Sequence, residues 1–99
     1  MDDVAINKVV EPILRKYLAD WGFEKSSVRS GEDHDGDAVL FVEVDFLPGQ
    51  EPVGAEAALR AIATIRDALA AEGESRFPHL RYRYPDDEEF ADSAADAAE

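Results

Sequence analysis

The stretch 38–47, AVLFVEVDFL, constrains this chain more than any other. Leu40, Val42, Val44 and Phe46 alternate with Val39, Phe41, Glu43, Asp45 and Leu47. A period of two carried by β-branched and aromatic residues predicts a strand. The first set is wholly apolar and needs a cover. The second starts apolar and turns acidic, as on a face half open to water. Apolar residues on both sides near its start place this strand in the middle of a small sheet.

The flanking segments supply the cover. Over 3–20, Ile6, Val9/Val10, Ile13/Leu14 and Tyr17/Leu18 recur at three- and four-residue steps and lead to Trp21, the stripe of an amphipathic helix. Asp2 or Asp3 suits its start and Gly22 its end. Pro12 lacks the N–H that would bond back to Lys8, which predicts a kink or a restart there. A strand over 23–30 follows, in which Phe23 and Val28 have opposite parity, so a bulge or a frayed edge is expected. The run 31–37, GEDHDGD, has Asp35-Gly36 at its heart and predicts a hairpin. After a Pro48-Gly49 turn, a second helix over 53–72 presents Ala58/Leu59, Ile62, Ile65 and Leu69 as its buried stripe, and Gly73 closes it. The last strand, 79–84, sends Leu80, Tyr82 and Tyr84 one way and His79, Arg81 and Arg83 the other. The order helix-strand-strand-helix-strand predicts an α+β two-layer sandwich: a three-stranded mixed sheet with both helices on one face, in a single domain over 1–85. A right-handed crossover makes the last two strands parallel.

This order of elements, with Gly22-Phe23-Glu24 opening the first strand, LFVEVDF in the second and Pro48-Gly49 before the second helix, resembles the N-terminal domain of the bacterial ribosome maturation factor P family. The resemblance spans about residues 9–84. It implies the same two-layer architecture and contact with ribosomal components.

Charge narrows the function classes. The chain has 23 acidic and 10 basic residues, a formal net charge of −13. That opposes general binding to nucleic acid, where Lys and Arg neutralise phosphates, and binding to an anionic membrane surface. Asp86, Asp87, Glu88, Glu89, Asp92, Asp96 and Glu99 lie in 86–99 with no base, which leaves 16 acids against 10 bases in 1–85. Phe90 is the one large apolar residue of that acidic segment, which is expected to be a disordered tail. The chain has no cysteine, so disulfides, thiolate metal sites and a cysteine nucleophile are excluded, in keeping with a cytoplasmic location. No apolar run approaches the roughly 20 residues of a membrane span. The start, MDDVAINK, carries acids where a secretory signal carries bases.

Each candidate site has a structural competitor. Asp33, Asp35 and Asp37 match the first three ligand positions of a calcium loop, but Ala38 stands where glycine is needed and Val44 where the bidentate Glu belongs. The segment therefore reads as a hairpin turn, and no metal site is assigned. His34 at the turn and His79 on the last strand are placed far apart. Glu43 and Asp45 have the spacing of an acid–base pair, yet Arg81 and Arg83 repeat that spacing on the expected neighbour strand, which predicts a cross-strand charge ladder. Arg76, His79, Arg81 and Arg83 interleave with Phe77, Tyr82 and Tyr84, but the tyrosines follow Leu80 toward the core rather than outward to stack bases. No phosphate loop, zinc-binding helix motif or nucleophile elbow occurs. The expectation is a non-enzymatic, cofactor-free protein-interaction module of bacterial type that meets a basic protein, in the manner of an inhibitor or antitoxin, through Glu43, Asp45, Arg81, Arg83 and Phe90. The alternatives are an RNA- or ribosome-associated domain using the Arg81/Arg83 face, and an enzyme subunit whose site is completed at an oligomer interface.

Overall fold

The computed structural model describes residues 1–85. The expectations for the acidic segment 86–99, including Phe90, lie outside the described residues. Helix α1 (Asp3–Leu18) starts at Asp2, whose Oδ1 accepts the Ala5 N–H at 2.8 Å. Ile6, Val10, Leu14 and Leu18 recur every four residues and are fully buried. The helix runs on through Pro12, so the expected break does not occur. Lys8 and Pro12 both lie on its exposed side, where water can satisfy the carbonyl that Pro12 leaves without a donor.

A single 3-10 turn (Ala19–Trp21) then hands over to Gly22 at φ +84°. Its carbonyl accepts the Leu47 N–H at 2.9 Å, and a side chain at this position would collide with Gln50. Glycine answers both the left-handed backbone and the close approach.

Strand β1 (Phe23–Glu32) is two residues longer than expected at its far end. Its register with β2 (Ala38–Phe46) shifts between Phe23, opposite Phe46, and Lys25, opposite Asp45. This bulge adds Glu24 to one strand only, and so returns Phe23, Ser26 and Val28 to the same side despite their parity. The serines of β1 find polar partners on α1. Buried Ser26 donates its hydroxyl to Asn7 Oδ1 at 2.7 Å while Asn7 Nδ2 donates to the Ser26 carbonyl, and Ser30 bonds Asp3 through its hydroxyl and N–H.

The hairpin turn is held by Asp33. Its Oδ1 accepts the N–H groups of Asp35 at 2.9 Å and Asp37 at 3.0 Å, and Gly36 takes φ +86°. The sheet order is β1-β2-β3, with β1 antiparallel to β2 and β3 (Phe77–Arg83) parallel to it. The central position of β2 and the parallel crossover match the sequence expectation.

Both helices cover one face of this sheet. Leu40, Val42, Val44 and Phe46 are completely buried against α1 and against Ala61, Ile65 and Leu69 of α2 (Ala55–Ala71). Tyr84 stacks on Phe46 with ring centroids 4.8 Å apart and its hydroxyl accepts the Val53 N–H at 3.0 Å. Leu59 corrects the expected stripe, for it is 67% exposed. It lies two residues before Ala61, about 200° round a helix of 3.6 residues per turn, and so leaves the buried side.

One corner is polar and closed. Glu74 is buried and receives two hydrogen bonds from the Arg76 guanidinium, from Nε at 2.8 Å and Nη2 at 3.0 Å. Arg76 also donates to the Ser30 hydroxyl and the Met1 carbonyl, and the terminal amine lies 3.7 Å from Glu74. Hydrogen bonding by Arg76 outweighs burial and holds the Glu74 carboxyl down to about 2. The same bond raises the pKa of Arg76.

Candidate functional site

The face of the sheet away from the helices is built from four cross-strand rows. From one end they read Lys25-Asp45-Arg83, Ser27-Glu43-Arg81, Arg29-Phe41-His79 and Gly31-Val39-Phe77. The period of two fixes which residues appear here, and the parallel pairing of β2 with β3 fixes their order.

The first two rows carry the charge ladder. Arg83 lies between both acids, with Nη1 3.6 Å from Glu43 Oε1 and Nε 3.5 Å from Asp45 Oδ1. Arg81 stands directly opposite Glu43. Glu43 and Asp45 are thus positioned by guanidinium groups, and neither carboxyl is paired with the other for proton transfer. These are half-exposed pairs, each worth on the order of 0.2–1 kcal/mol.

The last two rows are aromatic and cationic. The Arg29 guanidinium lies over the Phe41 ring, 4.5 Å from its centroid. On the other side His79 stacks on Phe41 at 5.9 Å, and Phe77 meets His79 edge-on at 4.9 Å. Arg66, from α2, lies 5.1 Å from the Phe77 centroid. Phe41 reclines across Gly31, where a Cβ would come within 2.5 Å of its ring. Arg29, Gly31, Phe41, Phe77, His79 and Arg81 line an open hollow of about 680 Å³, with Glu32, Asp33 and His34 at its hairpin end.

Two expectations change here. His34 and His79, placed far apart by the sequence reading, line one hollow. Because β3 is parallel to β2, its start lies beside the start of β2, which is where the hairpin sits. Arg76, grouped with the basic-aromatic cluster, belongs instead to the closed Glu74 corner. The tyrosines do face the core side: Tyr82 meets Phe46 edge-on at 5.6 Å, and burial pushes its hydroxyl up to about 12. The outward aromatics are Phe41 and Phe77. The signal for them was present in the alternation that already placed Phe41 with Glu43.

Asp33, Asp35 and Asp37 each bring a carboxylate oxygen within 4.8 Å of the others. Two backbone N–H groups already bond to Asp33 Oδ1, which accounts for that carboxylate through the turn itself.

Around the edge of β3 the surface is apolar. Leu59 at 67% exposure and Phe77 at 40% border a groove of about 290 Å³ between α2 and β3, floored by Ile62, Leu80 and Tyr82. The outer edge of β3 pairs with no other strand among the described residues. No helix of the described residues is long and apolar enough to cross a membrane. No family model, curated protein or solved structure matches this chain.

Proposed function

We propose that this protein is a non-enzymatic interaction module that binds a basic protein partner. The observation that carries the reading is the apolar groove between α2 and β3, with Leu59 and Phe77 exposed at its rim. Large apolar side chains lining a groove beside the last strand of a sheet favour a docked protein segment. The net charge of −13 supplies the partner's sign, because long-range charge acts on encounter whichever surface makes the final contact. Glu43 and Asp45 share Arg83 and stand beside Arg81, two acids among two cations, so in this reading they form the flank of the contact and Leu59 its anchor.

Binding kinetics against a purified basic partner test the reading. The association rate should fall steeply with salt, and Leu59→Glu should raise the dissociation rate at least about tenfold without changing the melting temperature. Salt-independent association, or wild-type dissociation in Leu59→Glu, would contradict it. Deleting 86–99 should slow association more than it speeds dissociation, while Phe90→Ala should act on dissociation.

A second reading, contact with RNA or ribosomal components through the Arg81 side of the sheet, is favoured by the outward rings of Phe41, Phe77 and His79. It agrees with the family resemblance in chain order. The same net charge opposes it.

A further inference from the structure

We infer that the hollow at the hairpin end of the open sheet face binds a free nucleotide, a planar ring carrying a phosphate. The inference rests on Arg29, Phe41 and His79; the hollow adjoins the Leu59 groove, with which it shares Phe41, Phe77, His79 and Arg81, while Arg29 lines the hollow and Leu59 the groove.

Three features carry it. The first is an ordered cation. Arg29 is laid on Phe41 by a cation–π contact and forms no ion pair with any described carboxylate. A guanidinium held over a ring keeps N–H groups that can donate to an anion. The second is the continuity of planar groups, since Arg29, Phe41 and His79 follow one another across the sheet and Phe77 meets His79 along β3. Gly31 maintains it, because any side chain there would lift Phe41. The third is size, for about 680 Å³ falls within the 300–1,000 Å³ typical of small-ligand sites.

Charge selects the free nucleotide over a strand. Arg29 lines the hollow and can meet one phosphate group. Glu32 and Asp33 at its hairpin end, together with a chain charge of −13, would repel the phosphates of a longer polyanion.

Amide NMR titration of the full chain with AMP tests this, with adenosine, inorganic phosphate and a single-stranded RNA oligonucleotide as separate arms. AMP should shift the amides of Arg29, Phe41 and His79. Adenosine and phosphate should each bind at least about tenfold more weakly than AMP, since each loses one half of the contact. Arg29→Gln should weaken AMP at least about tenfold at an unchanged melting temperature, and Phe41→Leu should weaken AMP and adenosine alike. Leu59→Glu should leave AMP binding unaltered, which separates this site from the protein-docking groove. No shift with millimolar AMP, equal affinity for AMP and adenosine, or wild-type affinity in Arg29→Gln would each overturn the inference. Oligonucleotide binding more than tenfold tighter than AMP would assign the hollow to an RNA strand and overturn it as well.

Discussion

The two faces of β2 are made from neighbouring residues and do opposite work. On the closed face Leu40, Val42, Val44 and Phe46 have no exposure at all. On the open face Phe41, Glu43 and Asp45 are half-buried, and they contact cations and rings across the strand pairs. Removing a side chain from the first face leaves a cavity among atoms that cannot follow it. Removing one from the second exposes neighbours to water that was already close. Stability is therefore concentrated on one side of a single strand, and the other side stays open to solvent. The Glu74 corner shows that charge can also be structural when it is enclosed: its carboxylate is buried and doubly hydrogen-bonded to the half-buried Arg76, whereas Arg83 meets its half-buried acids at 3.5–3.6 Å.

The contrast can be broken most forcefully at Phe46. It is fully buried and contacts both Tyr82 and Tyr84, so Phe46→Ala should cost about 3–5 kcal/mol in chemical denaturation. A loss below about 1 kcal/mol would mean the closed face is not where the fold is held.

A smaller effect should appear at the Glu74 corner as a dependence on pH. Its carboxyl is depressed from 4.5 to about 2, so its contribution to stability is present above the unfolded value and is lost as pH falls through the folded one. The advantage of the wild type over Glu74→Gln in thermal melts should therefore shrink between about pH 4.5 and 2. A gap that stays constant across that window would show that the Arg76 contact does not favour the ionised form.

The smallest effect belongs to the ladder. A double-mutant cycle between Arg83 and Asp45 should give a coupling of about 0.5 kcal/mol that diminishes in high salt. A coupling several times larger and insensitive to salt would make the open face as structural as the closed one.

Much of this was legible in the sequence because period carries facing. The alternation over 38–47 set both faces of β2, and the clash of parity between Phe23 and Val28 located the bulge that the register later placed at Glu24. Strand parity also set Glu43 and Asp45 beside Arg81 and Arg83. What escaped were contacts between segments distant in sequence. Arg76 closes on Glu74, Ser30 and Met1, and only the packed corner brings these together. Leu59 reads as core by its apolar side chain but sits on the outer side of α2, because steps of three and four residues both fit a helical stripe and leave its edge undetermined. The hollow was missed because Arg29 and His79 come from the two outer strands and meet only through Phe41 between them.

Denaturation of two variants at adjacent positions tests the division of β2 most directly. Val44 is completely buried and Glu43 faces outward beside Arg83. Val44→Asp should bury an unpaired carboxylate, lose several kcal/mol and leave the chain largely unfolded in buffer, whereas Glu43→Ala should cost about 1 kcal/mol or less. A folded Val44→Asp with a midpoint at or above that of Glu43→Ala would invert the facing of the central strand and contradict the account built on it.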